Sequence, residues 1–319
     1  MLKALSRLLQ ISLCTFGYLY TTNNRALAEA RKGLPASAAL GEETSPSFLA
    51  QVTSDETVNT QVNQIGNSAE ITGGETRGSN LFHSFQDFSV GTGNQAFFNN
   101  AIDVGNIFSR VTGGNVSNIN GAIRANGGAN LFLINPAGII FGANAQLDVG
   151  GSFVATTADR VIFADQVEFK AIAPQAKSIL TISSPVGLQY GGGAEIEVLP
   201  NTERSPNNPI NGLNIKPGNT LAFLGGDVSV AANDLSAIGG NIEIGSVKYG
   251  TVGLEFDDDG WQFDYHSVKE LGQIEFRDRA RQFFEDVGVV LDDGGIRSPA
   301  IESSPLLQSP CQNQPRPLP

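Results

Sequence analysis

The 319-residue chain contains two cysteines, one methionine, one tryptophan and two histidines. Cys14 lies in an apolar N-terminal stretch, so Cys311 would be the only cysteine left once that stretch is removed. No disulfide can then form within the chain, and stability must come from packing and backbone hydrogen bonds. Charged residues make up only 16%, against roughly 25% in an average soluble protein. Basic residues are the scarcer sign. Residues 1–28 hold Lys3, Arg7 and Arg25 and no acid, which leaves 17 bases against 32 acids in the remainder. That balance excludes a nucleic-acid binder and a protein that docks by charge on an anionic membrane. A mean hydropathy of −0.07 excludes a multi-span membrane protein.

Glycine and asparagine are abundant. The chain has 37 glycines, about one residue in nine where about 7% is usual, and 26 asparagines. Both weaken a helix interior, so long helices are not the main element.

The N-terminus reads as an address. Lys3 and Arg7 precede the apolar run LLQISLCTFGYLY (residues 8–20), and Ala26-Leu27-Ala28 offers a small-x-small cleavage site. This is the layout of a secretory signal peptide cleaved after Ala28. The run is too short to span a bilayer, which needs about 20 residues, so no stable membrane insertion is expected. Residues 29–50 are small and polar and read as a flexible leader. Residues 291–319 read as a disordered proline-rich tail.

From Gln51 the texture changes. Short segments rich in Val, Ile, Phe and Thr alternate with Gly and Asn, as in ANLFLI (129–134), GIIFG (138–142), SFVAT (152–156) and TLAFL (220–224). Each is strand-like and bounded by turn residues. A β-sandwich and a β-helix can both take this pattern. The gaps are often only Gly-Gly or Ala-Asn, which favours coils that stack over hairpins. Runs that are apolar at consecutive positions, such as Leu131–Ile134, predict side chains sent both into a stacked core and beneath a covering element. At about 20–25 residues per coil, residues 51–270 would make roughly ten coils. WQFDY (261–265) reads as a strand, and IEFRDRARQFF (274–284) as strands in preference to a short helix. The text around Asp292-Asp293-Gly294-Gly295-Ile296 looks like the start of a further coil.

Residues 79–163 carry the continuous pattern SNLFHSFQDFSVGTGNQAFFNN, NIFSRVTGG and GAIRANGGANLFLINPAGIIFGANAQLDVGGSFVATTADRVIF. This closely resembles the filamentous haemagglutinin N-terminal domain, also called the secretion domain of two-partner secretion exoproteins, in its cyanobacterial style. A weaker likeness continues through PVGLQYG, LAFLGGDVSV, LSAIGGNIEIGSV and GWQFDY to about residue 290. The resemblance implies an all-β fold over residues 51–290: a right-handed single-stranded parallel β-helix with an N-terminal cap and extra-helical strands. It also implies a non-enzymatic targeting module of an adhesin or haemagglutinin, with no cofactor. Such a module crosses the inner membrane by the Sec machinery. It is then bound, unfolded or partly folded, by the periplasmic repeat domains of an outer-membrane β-barrel transporter, and reaches the cell surface or medium. Host or cell-surface glycans are a candidate partner for the exported form. Family members normally continue with many more coils, so the chain reads as a naturally short secreted protein or as a truncated exoprotein, a targeting module without cargo.

Of the family's two Asn-Pro motifs, one is matched by Asn135-Pro136-Ala137-Gly138, with Ala137 where the family usually has Asn. The other is missing between Asn100 and Val111. The recognition residues carried over are therefore Asn135, Pro136 and Gly138, with Phe82, His83, Phe85 and Phe88 of the aromatic segment. The same residues have a purely structural reading: an Asn-Pro corner fixes a coil bend, and the phenylalanines cover the open end of a β-helix.

The rival reading is a β-helix carbohydrate-binding or carbohydrate-active protein. A polysaccharide enzyme needs converging carboxylates or a carboxylate beside a base. The candidates are Glu195 with Glu197, Asp257–Asp259 and Asp292-Asp293. Glu195 and Glu197 share a strand face without a paired base, and the aspartate runs read as solvated bends. His83 and His266 are isolated and make no metal site, and no Gly-x-Ser-x-Gly occurs; the one alternative for a metal is a single weak calcium ion at Asp257–Asp259, where the downstream Glu of an EF-hand is missing.

Overall fold

The computed structural model describes residues 51–174, 180–200, 212–231, 235–257 and 260–277, with the backbone of 290–292 and 295–299. Every regular element among them is a strand. The strands wind as a parallel β-helix whose coils place successive rungs on three sheets.

The first sheet carries the rungs Asn80–Ser89, Asn106–Val111, Asn130–Ile134, Phe153–Thr156, Thr220–Gly225 and Asn241–Ser246, each parallel to the next. The second sheet stacks Ser117–Ile119, Ile139–Phe141, Glu195–Val198, Asp227–Val230 and Ile274–Phe276. The third holds Gln95–Phe98, Ala122–Ala125 and Gln146–Asp148, and beyond them the short pair Leu213–Ile215 and Leu235–Ala237 takes over.

The first-sheet register gives the coil lengths. Asn80 faces Asn106, Asn106 faces Asn130, Leu131 faces Phe153 and Leu221 faces Ile242, so these coils take 26, 24, 22 and 21 residues. Between Phe153 and Leu221 the step is 68 residues. There the chain leaves the spiral to make Arg160–Phe163, Glu168–Lys170 and Pro185–Gly191. It leaves again after Ser246 for the hairpin Tyr249–Asp257 and Gly260–Glu270. These five strands form one antiparallel extra-helical sheet.

The excursions correct the expected coil count. Six rungs stack on the first sheet where roughly ten coils were expected, because the extra-helical strands and the cap consume the difference. A second correction concerns Asp292–Ile296. Val290–Asp292 and Gly295–Pro299 form an antiparallel hairpin on the edge of Asn241–Ser246, so the chain turns back there without starting another parallel rung. Of residues 291–319, expected to form a disordered tail, 291–292 and 295–299 belong to that hairpin, and the remainder lies outside the described residues together with the leader, the signal region and residues 278–289.

The consecutive apolar runs have the expected cause. In Asn130–Ile134, Leu131 and Leu133 point into the spiral and pack in its core, while Phe132 and Ile134 point outward into a second core beneath the extra-helical sheet. The first sheet is thus buried on both faces, as strand alternation requires when a layer covers each side. Phe82, Phe108 and Phe132 are in register on its outer face. Their rings stack at 5.3 and 4.9 Å.

Asparagine fixes the corners. Asn130 Nδ2 donates to Asn106 Oδ1 at 2.9 Å, and Asn106 Nδ2 donates to Asn80 Oδ1 at 3.0 Å. The column continues as Ser152 N–H donating to Asn130 Oδ1 and Thr220 N–H donating to Ser152 Oγ. Equivalent positions of successive coils are held by the amides that would otherwise be unpaired at the bend.

The N-terminal end is closed by residues 51–77. Gln51–Ser54 and Glu75–Arg77 pair antiparallel with Asn80–Ser89. The hairpin Thr60–Ile65 and Ser68–Gly73 extends the third sheet. The first rung therefore exposes no free edge at that end, which blocks edge-to-edge association.

Candidate functional site

The aromatic strand Asn80–Ser89 alternates between the two cores. Phe85 and Phe88 point into the spiral and Phe82 points outward, each no more than 1% exposed. Phe85 and Phe88 meet edge to face at 5.1 Å, and Phe98 packs on Phe88 at 6.1 Å. His83 is 1% exposed and stacks on Phe85 at 6.0 Å. Burial lowers its pKa from the ordinary value to about 3, so the ring is neutral in the folded chain. The Thr60 hydroxyl accepts from Ser84 N–H at 3.1 Å and lies 3.2 Å from His83 Nδ1, which ties the cap to this ring.

The corner Asn135–Gly138 sits between the first and second sheets. Asn135 is fully buried. Its Nδ2 donates to Asn115 O and Ser117 Oγ, both at 2.9 Å, and its Oδ1 accepts from Ala137 N–H at 3.0 Å. Its own N–H donates to Thr156 O, so one residue bonds to the coil before and the coil after. Gly138 has φ +115°, and a Cβ there would approach Glu195 O to 3.1 Å. Pro136 is half-buried beside it. The aromatic segment and the corner lie on different rungs, and the described structure does not bring them into one surface cluster. What they share is burial.

The sequence reading missed a buried ionic hub. Arg110 sits in the apolar rung Asn106–Val111 with 0% exposure. Its Nε donates to Ser84 Oγ at 2.8 Å, Nη2 to Thr57 Oγ1 at 2.8 Å and Nη1 to Lys170 O at 2.7 Å. Its guanidinium lies 4.3 Å over the Phe169 ring. Asp55 closes the hub from the cap. It accepts from the Ser84 hydroxyl at 2.6 Å, the Thr112 hydroxyl at 2.8 Å, the Thr57 hydroxyl at 2.8 Å and Thr57 N–H at 2.9 Å. Burial alone would raise the Asp55 pKa, but these hydrogen bonds outweigh it and hold the carboxyl below its ordinary range. Burial lowers the Arg110 pKa to about 10, against the pull of the Asp55 charge, so it stays protonated at neutral pH. One charge pair, relayed by two hydroxyls, joins the cap, two coils and an extra-helical strand. The only signal in the sequence was a lone arginine inside NIFSRV.

The catalytic candidates do not converge. Glu195 and Glu197 lie on a second-sheet strand, where Glu197 pairs with Arg277 at 3.2 Å. His266 is exposed and pairs with Asp264 on the outer hairpin, whereas His83 is buried in the rung Asn80–Ser89. Asp257 and Gly260 pair across the tip of that hairpin, while Asp258, Asp259 and Asp293 lie outside the described residues. Among the described residues no three His, Cys, Asp or Glu side chains form a group that could hold a metal ion.

A family model described as the TPS secretion domain matches residues 50–295. Among solved structures, the chain is similar to the HMW1 secretion domain from Haemophilus influenzae, at 19% identity and a TM-score of 0.44, over 70% of this chain and 50% of that one. No curated protein matches the sequence.

Proposed function

The chain belongs to the TPS secretion domain family, whose members target exoproteins for secretion, and from that footing we propose that it is the part of a two-partner secretion exoprotein that an outer-membrane β-barrel transporter recognises. The route begins with the signal peptide cleaved after Ala28 and passage through the Sec machinery. In the periplasm the transporter's repeat domains bind the chain before it folds, and residues 51–290 fold outside as a cell-surface or released adhesin module.

The family match over residues 50–295 carries this reading. A second observation supports binding before folding. Phe82, His83, Phe85, Phe88 and Asn135 are all buried once the coils stack. A transporter that reads them can hold only the unfolded or partly folded chain, and folding withdraws them. Stacked coils gain stability mainly from nearest neighbours, so folding can propagate from the capped end. Each coil that closes outside then opposes return, which gives direction without a nucleotide.

The test is co-expression with the cognate transporter and capture by its purified periplasmic domain. The wild-type chain should appear in the medium only with the transporter. The captured form should be the urea-unfolded chain, with Asn135→Ala and Phe88→Ala weakening capture. Equal capture of the folded chain would overturn the order of events, and export without the transporter would overturn the proposal.

A further inference from the structure

The asparagine corners carry a reactivity that their stacking role does not use. Asn-Gly occurs three times, at Asn120-Gly121, Asn126-Gly127 and Asn211-Gly212, and Asn211 lies outside the described residues. In such a pair the glycine has no side chain to hinder attack by its backbone nitrogen on the asparagine carboxamide. The N–Cγ bond forms and the Cγ–Nδ2 bond breaks, and ammonia leaves with the proton of the glycine N–H. Water then opens the succinimide at either carbonyl, giving aspartate or its iso-aspartyl isomer. No oxidant or reductant is needed.

The two described pairs are held differently. Asn120 Oδ1 accepts from Asn144 N–H at 2.9 Å, and its Nδ2 donates to Thr92 Oγ1 at 2.7 Å, so its carboxamide is clamped between the coil before and the coil after. Gly121 is buried, and its carbonyl accepts from Gln146 N–H at 3.1 Å. Even a Cβ there would collide with Gly91 O and Asn94 O, so this peptide has no room to turn. Asn126 is held at its Nδ2 end, which donates to Asn99 Oδ1 at 2.9 Å and Asn100 O at 3.1 Å, and its Oδ1 takes no part in these bonds. That oxygen can carry the charge of the addition intermediate. Gly127 has φ +67°, and both Gly127 and Gly128 are exposed. The peptide that must turn is therefore at the surface, beside a second glycine and open to solvent.

We propose that Asn126 is a site of spontaneous deamidation in the folded chain, and that the change unlocks the corner it belongs to. The amides of that corner run in one direction. Asn99 Nδ2 donates to Glu70 Oε1 at 2.8 Å, while Asn99 Oδ1 accepts from Asn126. A carboxylate at 126 would face Asn99 Oδ1 and Asn100 O with no hydrogen to offer. Turning the Asn99 amide over moves the conflict to Glu70, because an ionised carboxylate only accepts. The iso-aspartyl form adds a backbone atom to the turn between Ala122–Ala125 and Asn130–Ile134, whose registers with the preceding coil leave no slack for it. Both products loosen the coils next to the N-terminal cap. This is chemistry of the folded chain and does not rest on the secretion reading.

Trypsin separates the two pairs, because Asn120 falls in the peptide 111–124 and Asn126 in 125–160. The purified, folded full chain would be aged in warm, mildly alkaline buffer and followed by peptide mass mapping, with isoaspartyl methyltransferase labelling to read the isomer. Asn126 should convert at least about tenfold faster than Asn120, since Asn120 is bonded at both ends beside a buried glycine. In urea the two rates should converge. The converted chain should lose about 5 °C in Tm, and freshly made Asn126→Asp should show the same loss. An Asn126 that stays intact, or equal rates at the two asparagines in the folded chain, overturns the site. An unchanged Tm after conversion overturns its hold on the corner.

Discussion

Replacing Arg110 by methionine tests the hub most directly. The side chain is fully buried and donates to Ser84, Thr57 and Lys170 O, so the substitution strips these hydrogen bonds and the stack on Phe169 at once. It also leaves Asp55 as a negative charge without its counter-ion. Breaking a buried pair from one side costs about 3–5 kcal/mol. Methionine keeps most of the volume, so the cavity contribution is small, and about 3–4 kcal/mol is expected. Asp55 is only half-buried and would keep a neutral acceptor as asparagine, so Asp55→Asn should cost about 1–2 kcal/mol. Because the charges communicate through Ser84 and Thr57, the double variant should cost less than the sum by about 1 kcal/mol. The assay is urea unfolding of the purified chain followed by Trp261 fluorescence and far-UV circular dichroism. Trp261 lies in the same outer core as Phe169, so it senses loosening of the layer that Arg110 anchors. A loss below about 1 kcal/mol for Arg110→Met, or strict additivity in the double variant, would refute the view that the pair locks cap to coils.

Three further outcomes follow from the same geometry. His83 has a folded pKa of about 3 against an ordinary 6.5, so the folded state binds fewer protons and stability falls as pH drops below 6.5. The loss should reach about 2 kcal/mol at pH 5, and His83→Leu should flatten the dependence in urea melts taken across pH 4–8. Gly138→Ala should cost about 1–3 kcal/mol, because φ +115° is strained for alanine and its methyl would crowd Glu195 O. A Tm within a degree of wild type would show that the corner relaxes freely. Asn135→Ala removes two donated bonds and one accepted bond inside the fold and should cost about 2–3 kcal/mol. If its export defect persisted in a chain restabilised elsewhere, recognition and not stability would be the cause.

The sequence by itself determined the class of fold. Glycine and asparagine punctuate apolar runs four to six residues long, a spacing that a β-sandwich can also take but that the very short gaps tilt toward stacked rungs. It also exposed the double burial of Leu131–Ile134, because consecutive apolar residues on a strand need a layer on both faces. The continuous pattern from residue 79 to 163 carried the family. Tertiary structure decided the rest. The number of rungs depended on two excursions whose strands look locally like any others, so periodicity could not separate 160–191 and 249–270 from the spiral. The turn-back at Gly295–Pro299 is a choice of strand direction, and no local pattern encodes that. The Asp55–Arg110 hub joins residues far apart in the chain, through contacts that exist only after the coils stack and the outer sheet closes over them. Short-range pattern fixes what each segment can become, whereas charge pairing belongs to segments that meet only in the folded chain.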